Sequence, residues 1–169
     1  MEEINRLISV SKDSKYYSHK IKEFNEKELK EFETLALRLE KAGAANPLSW
    51  AFSEVKEGIP QFGRFLVLKN LFDIIESPKE NISLAEDFDE EIETKYLDIE
   101  KVVGEEKLSD FLKTFSKAII SNVVSLLDEG NFNSDRDKIS WALVKTDENN
   151  NLTEQVISGL HEDFIDFED

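Results

Sequence analysis

The chain has 169 residues, a formal net charge of −16 and no cysteine. Its length fits a single domain over residues 1–169, and its 40% hydrophobic content is enough for a packed core. The lack of cysteine excludes disulfides, zinc–cysteine sites and thiol nucleophiles. The sequence begins without a signal-like apolar run and has no stretch that could span a bilayer, so we expect a cytoplasmic protein that does not enter membranes.

The charge is unevenly distributed along the sequence. Residues 1–79 contain 13 acidic and 13 basic side chains, whereas residues 80–169 contain 24 acidic and 8 basic ones. Such an acidic portion repels nucleic acid and anionic lipid. It would attract a basic protein partner, although charge runs are also common on faces that serve only solubility.

The start of the chain is predicted to contain two helices separated by an ambiguous segment. Apolar residues at helical spacing favour a short helix over residues 2–10, whereas residues 15–24 alternate in a way that suits a short strand. Asn25 and Glu28 match a capping box at the start of the next helix, and Gly43 is placed to end it.

Two further helices are predicted before residue 78. Asn46 can cap a helix whose first residue is Pro47, where the missing N–H has no cost. Residues 61–76 are apolar on nearly all sides, which is typical of a helix surrounded by other elements. We therefore expect residues 61–76 to form the central core helix, ended by Pro78.

The next two predicted helices are longer. Ser83 and Glu86 resemble a second capping box, which predicts a helix from about residue 83 to residue 103 with Phe88 on its inward face. Residues 105–128 should form the longest helix. Its expected apolar stripe consists of Leu108, Phe111, Leu112, Phe115, Ala118, Ile119, Val123 and Leu126.

After residue 130 the pattern changes from helical to extended. Residues 139–146 and 152–158 are predicted to be strands, joined by the turn-forming residues 147–151. The sequence ends in an acidic tail. The fold class is therefore mainly α, with about five helices and a C-terminal β-hairpin; the alternative is α+β, with the hairpin and residues 15–24 in a small antiparallel sheet.

The candidate partner-binding residues are acidic or aromatic. Tryptophan is enriched at binding hot spots, although large aromatic side chains more often pack inside a protein. An acidic helix face could dock a basic protein, or it could be only a solvated face. The residues chosen are Asp87, Asp89, Glu90, Glu91, Glu93, Trp141 and Trp50.

Catalytic and metal sites are weakly indicated. Asp147, Asn149 and Asn151 match the first ligands of a calcium loop, but Leu152 stands where that loop needs glycine, so a plain hairpin turn is favoured. His161 lies beside two carboxylates without a clear partner set. We expect no catalytic residues, metal or cofactor.

The sequence thus favours a non-enzymatic acidic binding module, and we hypothesise an intracellular inhibitor of the immunity-protein type that covers a basic partner surface. The alternatives are an enzyme with a carboxylate and His161 pocket, and a structural or assembly protein without a ligand.

Overall fold

The computed structural model describes residues 2–131 and 133–167, and over these ranges the protein is mainly helical with one two-stranded antiparallel sheet near its C-terminal end. The predicted fold class is confirmed. The elements within the described ranges are α1 (Glu2–Val10), α2 (Ser14–Lys20), α3 (Glu26–Ala42), α4 (Pro47–Glu57), α5 (Gln61–Glu76), α6 (Pro78–Leu84), α7 (Ile92–Val103), α8 (Glu105–Glu129), α9 (Ser134–Asp137), β1 (Leu143–Thr146), β2 (Leu152–Ile157) and α10 (Leu160–Phe164).

The chain divides into two compact units. The first unit consists of Met1–Leu66 and Ala142–Asp169, and the second consists of Val67–Trp141. The division falls within α5. The expectation of a single domain stays a prediction, and the two units are described separately.

The first unit is built on α3, which packs against α1 and α4. Ile4, Phe32, Leu39 and Leu48 are buried in its core. The predicted capping box of α3 is present: the Asn25 side chain accepts the Glu28 N–H at 3.0 Å, and the Glu28 carboxylate accepts the Asn25 N–H at 2.9 Å. Local sequence signals therefore place this helix correctly.

The possible strand at residues 15–24 is absent. This part of the chain forms α2 and a short 3₁₀ turn, Ile21–Glu23. Tyr17 is buried and makes edge-on contacts with Tyr16 and Phe52. Within the described residues, the sheet contains only β1 and β2.

The hairpin is shorter than predicted. β1 begins at Leu143, so Trp141 lies outside the strand, and Leu143 is paired with Ile157 of β2. The turn is held by the Asp147 side chain, whose Oδ1 accepts the backbone N–H groups of Asn149 at 2.8 Å and Asn151 at 2.9 Å. Ile157 of the hairpin lies close to Gly63 of α5: a Cβ added to this glycine would be 3.0 Å from Ile157 Cδ1.

The predicted acidic tail is partly a folded element. Within α10 and the turn that follows it, Leu160, Phe164 and Phe167 are buried in the first unit. Glu168 and Asp169 lie outside the described residues. The end of the described chain is therefore part of a hydrophobic core.

In the second unit, α7 packs against α6 and α8. The predicted helix over residues 83–103 is wrong in its first part: α6 ends at Leu84, a 3₁₀ turn covers Ala85–Asp87, and α7 begins only at Ile92. Ser83 lies inside α6 and does not cap a helix.

The apolar stripe predicted for α8 is only partly buried. Leu108 and Val124 are buried, whereas Phe111, Phe115 and Ile119 are 63%, 55% and 49% exposed. α8 packs against α6 and α7, and these contacts leave much of the predicted stripe in solvent.

The predicted core helix, α5, is likewise buried along one side. Phe65, Leu68 and Ile75 are almost inaccessible, whereas Ile74 is 47% exposed. No helix in the described part of the chain is long and apolar enough to cross a membrane.

Candidate functional site

Four of the five acidic residues chosen from the sequence lie in the connection between α6 and α7, and the fifth, Glu93, lies in the first turn of α7. We call residues 84–93 the acidic connector. It contains six carboxylates and no lysine or arginine. Asp87, Glu90, Glu91 and Glu93 are exposed.

Asp89 has a local structural role. One of its carboxylate oxygens accepts the backbone N–H of Glu91 at 3.1 Å, and the other accepts Lys95 Nζ at 2.7 Å. The ammonium of Lys95 and, secondarily, this N–H group hold the pKa of Asp89 below its usual range. Asp89 thus shapes the turn that precedes α7, and this turn interrupts the helix that periodicity predicted.

The interruption exposes Phe88. Its side chain is 91% exposed, and Leu84, at the end of α6, is 68% exposed. The prediction of an inward-facing Phe88 is therefore wrong. An aromatic ring left in water and flanked by carboxylates on both sides is an unusual arrangement, since large apolar side chains normally pack inside or at interfaces.

The two tryptophans belong to different units. Trp141, in the second unit, is 47% exposed, and its indole N–H donates to the Leu126 carbonyl oxygen at 3.1 Å. Trp50, in the first unit, is half-buried and packs edge-on against Phe65, with ring centroids 5.8 Å apart. Trp50 is thus not on the same unit as the other predicted site residues.

The charge surplus is shared by both units. The first unit has 19 acidic and 12 basic side chains, and the second has 18 acidic and 9 basic ones, which gives net charges of −7 and −9. The net negative charge, which lies in the second half of the sequence, is divided between the two units because the acidic residues after 141 fold with residues 1–66, whose charges balance.

The sequence reasoning missed a buried ionic contact in the first unit. The Arg64 guanidinium, whose side chain is 6% exposed, forms ion pairs with Asp163 at 2.5 Å and Glu162 at 3.5 Å. It also donates to the Gly159 carbonyl. The helical spacing of Leu160, Phe164 and Phe167 was the available signal that these acids belong to a folded segment.

His161 is exposed on α10. Among residues 2–131 and 133–167, no group of three or more His, Cys, Asp and Glu side chains is arranged to hold a metal ion.

No family model, no curated protein and no solved structure matches this chain.

Proposed function

We propose that this protein is a non-enzymatic, cytoplasmic binding module that covers a basic surface of another protein, with the acidic connector as its contact. An inhibitor of the immunity-protein type fits this role. The observation that carries the proposal is the exposure of Phe88 among six carboxylates.

Phe88 and the carboxylates have separate tasks in this proposal. Moving an exposed phenylalanine into an apolar pocket of a partner contributes about 1.5–3 kcal/mol. The carboxylates act at longer range and accelerate encounter with a basic surface by roughly 10- to 1,000-fold at low salt. Phe88 therefore lowers the dissociation rate, whereas the carboxylates raise the association rate.

Leu84 and Trp141 are additional anchors in the second unit, since both are substantially exposed. Aromatic side chains are enriched at binding hot spots, and polar residues form the rims around them.

The test captures partners from native-cell extract with the 169-residue chain and compares three variants. These are Phe88→Ala, a fourfold neutralised variant (Asp87→Asn, Glu90→Gln, Glu91→Gln and Glu93→Gln), and Val102→Ala, a control whose side chain is 84% exposed elsewhere in the second unit. The captured protein is then purified for stopped-flow kinetics.

We expect a basic partner that dissociates at least tenfold faster from Phe88→Ala. Its association with the neutralised variant should be slower and less dependent on salt. Val102→Ala should behave as the wild type. Equal kinetics for wild type and Phe88→Ala, or an association rate that ignores ionic strength, would contradict the proposal.

A further inference from the structure

One side of α8 carries a row of large apolar residues that are partly exposed to water. We call this row the outer stripe, and it consists of Phe111, Phe115, Ile119, Val123 and Leu126. In that order the residues are 63%, 55%, 49%, 36% and 39% exposed. The rings of Phe111 and Phe115 are stacked, with centroids 6.1 Å apart and planes 6° from parallel. The stripe follows the helix for about four turns.

The opposite side of α8 is the one that anchors the helix in the second unit. Val124 is only 1% exposed, and Lys113 Nζ donates to a carboxylate oxygen of Glu76 at 2.6 Å. The Lys117 ammonium lies over the ring of Phe72, 5.3 Å from its centroid. These α8 residues lie roughly half a turn around the helix from the centre of the outer stripe. Rotating the helix to bury the stripe would break their contacts, so the stripe stays outside.

The outer stripe is large enough for a protein interface. Since a phenylalanine buries about 150–250 Å², the exposed fractions of the five residues leave on the order of 400 Å² of apolar surface in water. Two such stripes face to face would bury roughly 800 Å². Because about 65% of a homodimer interface is apolar, the total buried area would be roughly 1,200 Å². This total reaches the lower limit of specific, stable interfaces.

The charge around the stripe favours an uncharged occupant. Residues 111–127 contain two lysines and no carboxylate, although the second unit as a whole has a net charge of −9. Both lysines belong to the inward side, where they contact Glu76 and Phe72. A basic partner would therefore find no acidic group on the stripe itself, whereas a second copy of the chain would offer an equally uncharged surface.

We propose that the outer stripe is a self-association surface, through which α8 packs against α8 of a second copy in a twofold-symmetric dimer. Such symmetry brings the same patch of both copies together, so an apolar stripe meets an apolar stripe. The spacing suits this packing. Phe115, Ile119, Asn122 and Leu126 follow one another at intervals of four, three and four residues, as in helices that pair lengthwise. The dimer goes beyond the proposed partner contact and does not depend on it.

The remaining charge of the chain opposes this dimer. Each copy has a net charge of −16, so two copies repel each other at long range. Salt screens this repulsion and leaves the burial of the stripes in place, so dimerisation should strengthen with ionic strength. Association of the acidic connector with a basic partner should slow with ionic strength. The two surfaces are therefore distinguished by opposite responses to salt.

Sedimentation equilibrium of the 169-residue chain tests the proposal over a range of about 1–500 μM. We expect a monomer–dimer equilibrium with a Kd of about 10–100 μM at about 0.15 M NaCl, because the interface is at the small end of the specific class. Raising the NaCl concentration to about 0.5 M should lower the Kd by roughly threefold or more.

Ile119→Lys should raise the Kd at least tenfold, because it places an ammonium in the middle of an apolar interface. The same change makes each copy less negative, so greater repulsion cannot explain a weaker dimer. Ile165→Lys is the matched control: it adds the same charge at a residue of the first unit that is 71% exposed, and it should leave the Kd within about twofold. Circular dichroism and urea midpoints of both variants verify that the fold is retained.

A chain that stays monomeric up to about 500 μM, a Kd that Ile119→Lys leaves unchanged, or a Kd that rises with salt would overturn the dimer. Flotation with phosphatidylcholine vesicles tests a different occupant. Vesicle binding by the wild type that Ile119→Lys abolishes would assign the stripe to a lipid surface and would likewise overturn the proposal.

Discussion

Arg64 of α5 and Asp163 of α10 form an ion pair with an N–O distance of 2.5 Å, in which the Arg64 side chain is 6% exposed and that of Asp163 is 34% exposed. This pair joins a residue before the second unit in the sequence to one after it. Because the guanidinium is buried, its partners determine how stably α10 is held.

Removing this pair should destabilise the first unit. We expect Arg64→Met to lower the free energy of unfolding by about 2–4 kcal/mol, because a buried charge partner and a hydrogen bond to Gly159 are lost. Urea unfolding followed by Trp50 fluorescence, in a Trp141→Phe background, measures this unit. Asp163→Asn completes a double-mutant cycle, and a coupling energy near zero would show that the two groups act independently.

The stability gained by replacing Gly63 with alanine should be limited by contact with Ile157. Alanine in a helix is favoured over glycine by about 0.5–1 kcal/mol, but the new Cβ would lie 3.0 Å from Ile157 Cδ1. We expect Gly63→Ala alone to change stability little. Ile157→Val removes the obstructing methyl at a cost of about 0.5–1.5 kcal/mol. In urea unfolding, the double variant should have a free energy of unfolding that is higher than the two single changes added together predict, by about 0.5 kcal/mol or more. Simple additivity would contradict the contact.

Gly130 should tolerate alanine worse than Gly104 does. Both have positive φ angles, +64° and +90°, so alanine is strained at either position by about 1–3 kcal/mol. At Gly130 a Cβ would also lie 2.8 Å from the Trp141 carbonyl oxygen, whereas at Gly104 it would meet nothing within 4 Å. Trp141 fluorescence during urea unfolding, in a Trp50→Phe background, reports the second unit. The Gly130 variant should unfold at a lower urea concentration, and equal midpoints would refute the steric argument.

The hairpin turn should weaken in acid. The Asn151 side-chain amide, followed by the backbone N–H groups of Asn151 and Asn149, lowers the pKa of Asp147 below its ordinary value of 3.8. A depressed folded pKa means that this stabilisation is present above the unfolded pKa and is lost as pH falls through the folded one. NMR titration of the Asp147 carboxyl carbon should give a midpoint below 3.8. Asp147→Asn should remove this pH dependence from the hairpin, and a midpoint at or above 3.8 would contradict the turn geometry.

The sequence predicted the elements whose signals are local. The Asn25 and Glu28 capping box spans four residues, and both of its hydrogen bonds are present. The residues of the hairpin turn likewise lie next to one another. Such features depend on the backbone of a few residues and need no knowledge of the tertiary fold.

The sequence did not predict the features that depend on competition between a helix and a local turn, or on partners distant in the chain. The apolar spacing from Phe88 to Val103 continued through a turn that Asp89 stabilises, so Phe88 was assigned to a buried face. The pairing of Arg64 with Asp163 joins segments far apart in the chain, and no local pattern encodes it.

The order of synthesis gives the discontinuous first unit a distinctive folding history. Its residues 1–66 leave the ribosome before the whole of the second unit, and β1, β2 and α10 follow afterwards. At ordinary translation rates the interval lasts roughly several seconds, much longer than helix formation. During this time Arg64 lacks its carboxylates, and the ring of Phe65 lacks its contact with Phe167.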